Sequence, residues 1–418
     1  MPFHTFLSVW LSTYTGGLDF WKVWKDGLTA LVAILCIVTV LVYGKASKLY
    51  KSLLSLVFIY GFIHLLLIFT TNQPLNTGFL AVDYNLRIFG YLIIGYSLAL
   101  LLPKANLFSK YSKILVMLST IVCFLAVLQI LLPKDILTHF GYEISRGVKP
   151  NFFIDDKPDL FRAFSTLKDP NSLGAFLILP IVLLVQKLNI NWQTPKRTML
   201  GGLLILHVWA LLLTFSRSTL LATIIGLITL LILSNQKFVT QNKRKITWSV
   251  AILCAVTIGL FSVFRDQYVV QNVVFHADES TRLQTPNELR RDLAKRAVED
   301  IIDQPLGHGP GTAGLVSIRL PAGGHLTENY FLQILYEVGV FGFLIFTTIL
   351  YLLVRGLWNQ RKNNTVKVML ASFAGLVFAN LLFHTWSNEA VSIAWFTLAG
   401  LSFSDNFKYT GIINNHKR

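Results

Sequence analysis

Residues Leu211–Thr223 read LLLTFSRSTLLAT and set one arginine, Arg217, between two long apolar runs. A guanidinium at the centre of a bilayer costs roughly 2.5–3.5 kcal/mol on insertion scales. The two runs therefore read as two helices that meet at a membrane surface, with Arg217 at the mouth where it can reach water or a headgroup.

Similar runs extend in both directions from this point. They fall near residues 4–20, 27–43, 53–70, 85–103, 114–133, 172–187, 198–215, 217–234, 247–265, 329–354, 368–386 and 389–404. Of the 418 residues 54% are hydrophobic and only 14% charged, against roughly 25% charged in a soluble domain. The mean hydropathy is +0.58. This composition predicts an all-α polytopic membrane protein with about 12 transmembrane helices, the first and last short. The opening MPFHTFLSVWLSTYTGG lacks a basic start and a small-residue cleavage site, so it reads as a first helix and not as a removed signal peptide. Cys36, Cys123 and Cys254 each lie inside an apolar run and fit no metal spacing.

The formal net charge is +16, which in a soluble protein would suggest nucleic acid. Here the charge is distributed by loop. Lys45, Lys48 and Lys51; Lys104, Lys110 and Lys113; Lys187, Lys196 and Arg197; Lys237, Lys243, Arg244 and Lys245; and Arg355, Arg361, Lys362 and Lys367 occupy alternate connections that contain no acid. The positive-inside rule makes these connections cytoplasmic, and with an even number of crossings both termini as well. Contact with anionic lipid then accounts for much of the charge, without nucleic acid.

The expected organisation is N-terminal transmembrane helices over 1–133, an external loop over 134–171, central helices over 172–265, a large external loop over 266–328, C-terminal helices over 329–404 and a cytoplasmic tail over 405–418. The second loop contains TPNELRRDLAKRAVEDII (285–302), with Leu289, Leu293, Ala297 and Ile301 on one side. That pattern predicts a short amphipathic helix outside the membrane. The glycine-rich PLGHGPGTAG that follows cannot continue it.

Cations collect on this external side. Arginine suits phosphate because its planar fork donates parallel hydrogen bonds and keeps its charge. Arg217 with Ser216 and Ser218, Arg162 in LFRAFSTLKDPNSLG, and Arg290 with its neighbour Arg291 form a candidate cradle for a membrane-borne diphosphate. Arg87 either joins the cradle or pairs with Asp83 one turn earlier. Where the second loop enters the next helix, GGHLTENYFLQILYEVGVFG offers His325 and Glu328 as candidate general bases. Glu328 also suits a helix N-terminus electrostatically, and Asn329, otherwise a substrate-binding candidate, or Thr327 suits a cap. Asp169, Asn171 and Ser172 read as caps around Pro170. Asp155–Asp156 is a poor metal site, and His308 reads as incidental.

In their order and placement, four segments resemble the O-antigen ligase and polymerase superfamily of bacterial membrane glycosyltransferases. They are FRAFSTLKDPNSLGAFLILP (161–180), LLLTFSRSTLLA (211–222), ELRRDLAKRAVEDIIDQPLGHGPGTAG (288–314) and TENYFLQILYEVGVFG (327–342). The resemblance implies a C-type glycosyltransferase (GT-C) fold with no metal and no cofactor. It implies a saccharide donor on undecaprenyl diphosphate, used at the outer face of the bacterial cytoplasmic membrane, and a saccharide or glycolipid acceptor. It places the diphosphate-binding arginines on Arg217 and Arg290, with Arg291 as the neighbour one register away. Ligases of the family carry histidine before the asparagine of the 327–342 segment. Here Asn329, Gly339 and Gly342 keep the spacing but Glu328 stands in the histidine's place, which leans the reading toward a polymerase. A ligase to a terminal anchor is one alternative. A small-anion transporter is another, with Glu337 as its main intramembrane acid.

Overall fold

Each apolar run needs its backbone hydrogen bonds closed internally, and a helix does this alone. The computed structural model describes residues 2–71, 73–154, 157–190, 196–234, 286–318, 320 and 324–405. Eleven of the twelve expected runs lie in this part, and each overlaps a helix. The expected run 247–265, Cys254, Asp155–Asp156, residues 266–285 and the tail beyond residue 405 lie outside the described residues.

In order, α1 is His4–Thr15, α2 Leu18–Val42, α3 Lys48–Thr70, α4 Leu75–Leu101, α5 Leu107–Leu131, α6 Pro170–Ile190, α7 Lys196–Leu213 and α8 Arg217–Ser234. The amphipathic helix Pro286–Asp303, a short turn of helix Gly314–Ser317, the long helix Tyr330–Trp358 and the helices Asn364–Asn380 and Glu389–Leu401 follow. Seven of these are long and apolar enough to cross a membrane, and Arg197–Leu213 and Glu389–Leu401 are shorter apolar helices. A two-stranded antiparallel hairpin, β1 Phe153–Ile154 and β2 Lys157–Phe161, is a small addition to the expected all-helical architecture.

The centre of the bundle is α6, of whose apolar window 78% is buried, whereas for α2 the share is 17%. Small residues let the inner helices touch. A Cβ on Gly375 would come within 2.4 Å of the Ala222 carbonyl of α8, and one on Gly95 of α4 within 2.2 Å of the Thr397 carbonyl.

The first apolar run corrects the expected topology. It forms only the 12 residues of α1, about 18 Å of helix, which is too short to cross the hydrocarbon. Thr166 Oγ1 donates to the Pro2 carbonyl (3.0 Å), and Arg146 Nη2 donates to Ser12 Oγ (2.6 Å). Both ends of α1 thus lie along the 134–171 connection, at the end of the bundle away from the basic loops. The N-terminal segment is not on the same side as those loops, and α2 starts from the opposite end.

The long helix is broken at Gly339, whose φ of 65° and ψ of −175° are not helical. Pro305–Gly314 docks into the break. His308 N–H donates to the Tyr336 carbonyl (3.0 Å), Gly309 N–H to the Glu337 carbonyl (2.9 Å), and Val340 N–H to the Pro305 carbonyl (3.0 Å). The kink exposes these backbone groups and the loop satisfies them, as buried peptide groups require. Glu337 is fully buried and anchors the same loop. Its carboxylate accepts from Gly311 N–H (3.1 Å) and Asn85 Nδ2 (2.7 Å).

Candidate active site

Between the end of α7 and the start of α8 lie only Thr214, Phe215 and Ser216. Thr214 and Ser216 are buried. Ser216 N–H donates to Thr214 Oγ1 (3.1 Å), and its carbonyl accepts Leu220 N–H (3.1 Å), so Ser216 opens α8 and fixes Arg217 as its first residue. Ser216 Oγ lies 3.4 Å from Ser218 Oγ.

Arg162 follows β2 directly and is stapled to this turn. Its Nε donates to the Thr214 carbonyl (3.0 Å) and its Nη2 to Asn171 Oδ1 (3.1 Å), while Ala163 N–H donates to the Leu213 carbonyl (2.9 Å). Gln129 of α5 holds the next residues, its Oε1 accepting the N–H groups of Phe164 (3.0 Å) and Ser165 (2.8 Å). Burial lowers the Arg162 pKa. Asp169 opposes that shift, and the positive charges of Arg217 and Arg290 add to it. Arg162 therefore lies within electrostatic reach of both other guanidinium groups, so three segments far apart in sequence bring positive charge to one place.

Glu328 joins this group by accepting the Arg290 Nε–H in an ion pair. Arg290 is about a third exposed, at 36%. Arg291 is 78% exposed, with Asp292 4.0 Å away, so of the two neighbours it is Arg290 that contacts Glu328. Backbone strain gathers at the same point. Ser165 (φ 54°), Phe215 (φ 48°) and Glu328 (φ 47°) hold a left-handed conformation that non-glycine residues rarely adopt. Each lies within three residues of Arg162 or Arg217, or contacts Arg290.

The remaining candidates separate from this group. Asn329 caps the long helix, its Oδ1 accepting from Phe331 N–H (3.0 Å) and Leu332 N–H (3.1 Å). Asp169 caps α6 through Ser172 N–H (2.8 Å). His325 lies against Asp300, Nε2 to Oδ2 3.2 Å, ten residues along the amphipathic helix from Arg290. Arg87 leaves the cradle and, against expectation, pairs with neither a diphosphate arginine's neighbours nor Asp83 as its bonded partner. Its Nη1 donates to Glu389 Oε1 (3.1 Å), Nη2 donates to the Ser387 carbonyl, and the guanidinium carbon lies 4.1 Å from the Tyr84 ring centre. Glu389 also binds Lys25 (2.5 Å). Taking these charges out of water requires such mutual pairing.

Asp300, Gln129 and the Lys25–Glu389 pair are absent from the sequence reading. Asp300 stands in the VEDII end of the amphipathic helix, where an acid reads as solvated surface. Lys25 and Glu389 sit just outside the runs 27–43 and at the start of 389–404, and nothing local marks them as partners.

No curated protein matches the chain. Residues 202–347 match the family described as O-antigen ligase, a span that holds Arg217, Arg290, Glu328 and the Gly339 kink and leaves Arg162 outside. Over that span the chain is similar to the O-antigen ligase family, and the match supports the resemblance to the O-antigen ligase and polymerase superfamily.

Proposed function

We propose that the protein is a metal-independent inverting glycosyltransferase of this superfamily. It transfers a saccharide from undecaprenyl diphosphate to a sugar hydroxyl at the outer face of the cytoplasmic membrane, in the making of cell-surface polysaccharide. The observation that carries the reading is the positive charge of Arg217 and Arg290 acting on Arg162, with Glu328 paired to Arg290.

The acceptor hydroxyl attacks the anomeric carbon of the lipid-linked donor. The carbon–oxygen bond to the diphosphate breaks, and the diphosphate leaves with the bonding electrons. Glu328 takes the hydroxyl proton. Arg290 spends its Nε–H on Glu328, and its terminal nitrogens keep donors for a phosphate oxygen. Arg217 and Arg162 offset the charge that grows on the leaving group. Fixed cations aimed at developing charge in a poorly hydrated site are worth several kcal/mol. Of the two candidate bases, Glu328 is the one paired with a cradle arginine, Arg290, so it takes the role and His325 does not.

Arg217→Ala and Glu328→Gln should each lower transfer at least 100-fold with protein level unchanged, as loss of a transition-state contact does. His325→Ala should keep kcat at saturating substrate near the wild-type value, because His325 is not the base. Full activity in Arg217→Ala would defeat the reading.

The occupied Glu328 position and the absence of histidine there favour polymerase over ligase. The product of a deletion strain distinguishes the two. Single repeat units on the anchor mean polymerase, and intact lipid-linked chains that never reach the anchor mean ligase. The transporter reading loses support because Glu337, its main acid, is spent on holding the Pro305–Gly314 loop.

A further inference from the structure

Beyond the arginine group, the external surface has an open cavity of about 380 Å³, inside the roughly 300–1,000 Å³ range of small-molecule sites. The end of α3, the docked glycine-rich loop, the end of the external helix and the His325 segment enclose it. Ten residues of helix separate Arg290 from Asp300, which places the cavity about 15 Å along the helix from the cradle.

Its lining has a definite chemistry. The His308 ring stacks on Tyr336 (centroids 4.0 Å, 17°), and the His325 ring lies 5.2 Å from Tyr336. Two imidazoles backed by a phenol make a flat panel. Burial lowers the His308 pKa, so at neutral pH its ring is an uncharged surface. Across from the panel, Gln73 Nε2 donates to the His308 carbonyl (3.2 Å) and Gln304 Nε2 to the Gly307 carbonyl (2.8 Å). Those bonds fix both amides and leave their oxygens as acceptors. Thr71 and Thr312 add hydroxyls. Among the described lining residues there is no lysine or arginine to hold an anion, and Leu320 is the one large aliphatic side chain.

A flat panel with neutral acceptors and hydroxyls around it suits a molecule with an apolar C–H face and an equatorial rim of hydroxyls. We propose that this cavity is a saccharide subsite, holding neutral sugar residues away from the bond being made. The proposal rests on the glycosyltransferase reading above and assigns His325 to saccharide binding. The sugars belong either to the donor's glycan or to the acceptor chain.

The test uses the full-length protein in detergent and the free oligosaccharide released by mild acid from the cell's own lipid-linked precursor. Saturation-transfer NMR reports sugar protons against aromatic rings. Leu320→Trp fills the cavity without removing a hydrogen bond and should abolish the signal. Gln304→Ala should weaken binding roughly fivefold, the size of one neutral contact. Arg217→Ala should leave both unchanged. Binding that survives Leu320→Trp and Gln304→Ala, or no binding to the wild type, overturns the subsite. If Arg217→Ala still transfers sugar at the full rate, the glycosyltransferase reading has failed instead. Added to a transfer assay, the oligosaccharide raises the KM of the donor if the subsite holds donor sugars, and the KM of the acceptor if it holds the acceptor chain.

Discussion

The Arg290–Glu328 pair shows how much of the site single residues carry. Both were visible in the sequence as external charges, because a charge beside an apolar run has few other places to go. Their pairing was not visible, since 38 positions separate them and neither side chain advertises its partner. Burial at the same mouth makes a second residue testable. His384 lies in the connection before the last helix with its Nε2 3.3 Å from Thr327 Oγ1. Burial, helped by the charge of Lys168, lowers its pKa from 6.5 to about 4. Between those values the unfolded chain binds a proton that the folded chain refuses, so the folded state is fully favoured above pH 6.5 and loses stability as the pH falls toward 4. The loss is roughly 3 kcal/mol on the scale of 1.36 kcal/mol per pKa unit. Thermal unfolding in detergent should show this decline in the wild type and a flatter profile in His384→Gln. Equal profiles would remove the buried imidazole from the account.

At the scale of elements, the break in Tyr330–Trp358 is the feature that shapes the face where the Pro305–Gly314 loop docks. The sequence marked Gly339 and Gly342 by their spacing after Asn329 in the 327–342 segment. It did not reveal that Gly339 leaves the helix, since a kink appears only when the Pro305–Gly314 loop arrives to take the freed hydrogen bonds. A Cβ on Gly339 would lie 2.3 Å from the Leu306 carbonyl carbon and 2.4 Å from its oxygen, at φ 65°. A backbone at φ 65° and ψ −175° is essentially restricted to glycine and costs another residue about 1–3 kcal/mol, and the clash adds to it. Gly339→Ala should undock the loop and lower the melting temperature, with protease cleavage appearing between Pro305 and Gly314. Glu337→Leu should do the same by leaving Asn85 and the Gly311 N–H without their acceptor. Unchanged cleavage in both variants would contradict the docking.

Across the whole molecule, the expectation of sidedness rests on the alternation of basic loops, which is written in composition and needs no tertiary contact. The position of α1 was illegible for the opposite reason. An apolar run of this length reads the same whether it crosses or lies along the surface, and only its bonds to Arg146 and Thr166 decide. Tyr14 is 76% exposed near the end of α1. In a background without native cysteines, Tyr14→Cys should react with a membrane-impermeant maleimide from outside intact cells, while a cysteine at Lys362 should react only after the membrane is opened. Reaction of both from the same side would restore the symmetric topology. The central claim is that arginines from three distant segments grip one diphosphate. Titration of inorganic pyrophosphate into the full-length protein, with Arg162→Gln, Arg217→Gln and Arg290→Gln alongside, tests it most directly. The account predicts saturable binding that weakens at least tenfold, about 1.4 kcal/mol, in every variant; equal affinity in wild type and either Arg217→Gln or Arg290→Gln would contradict it.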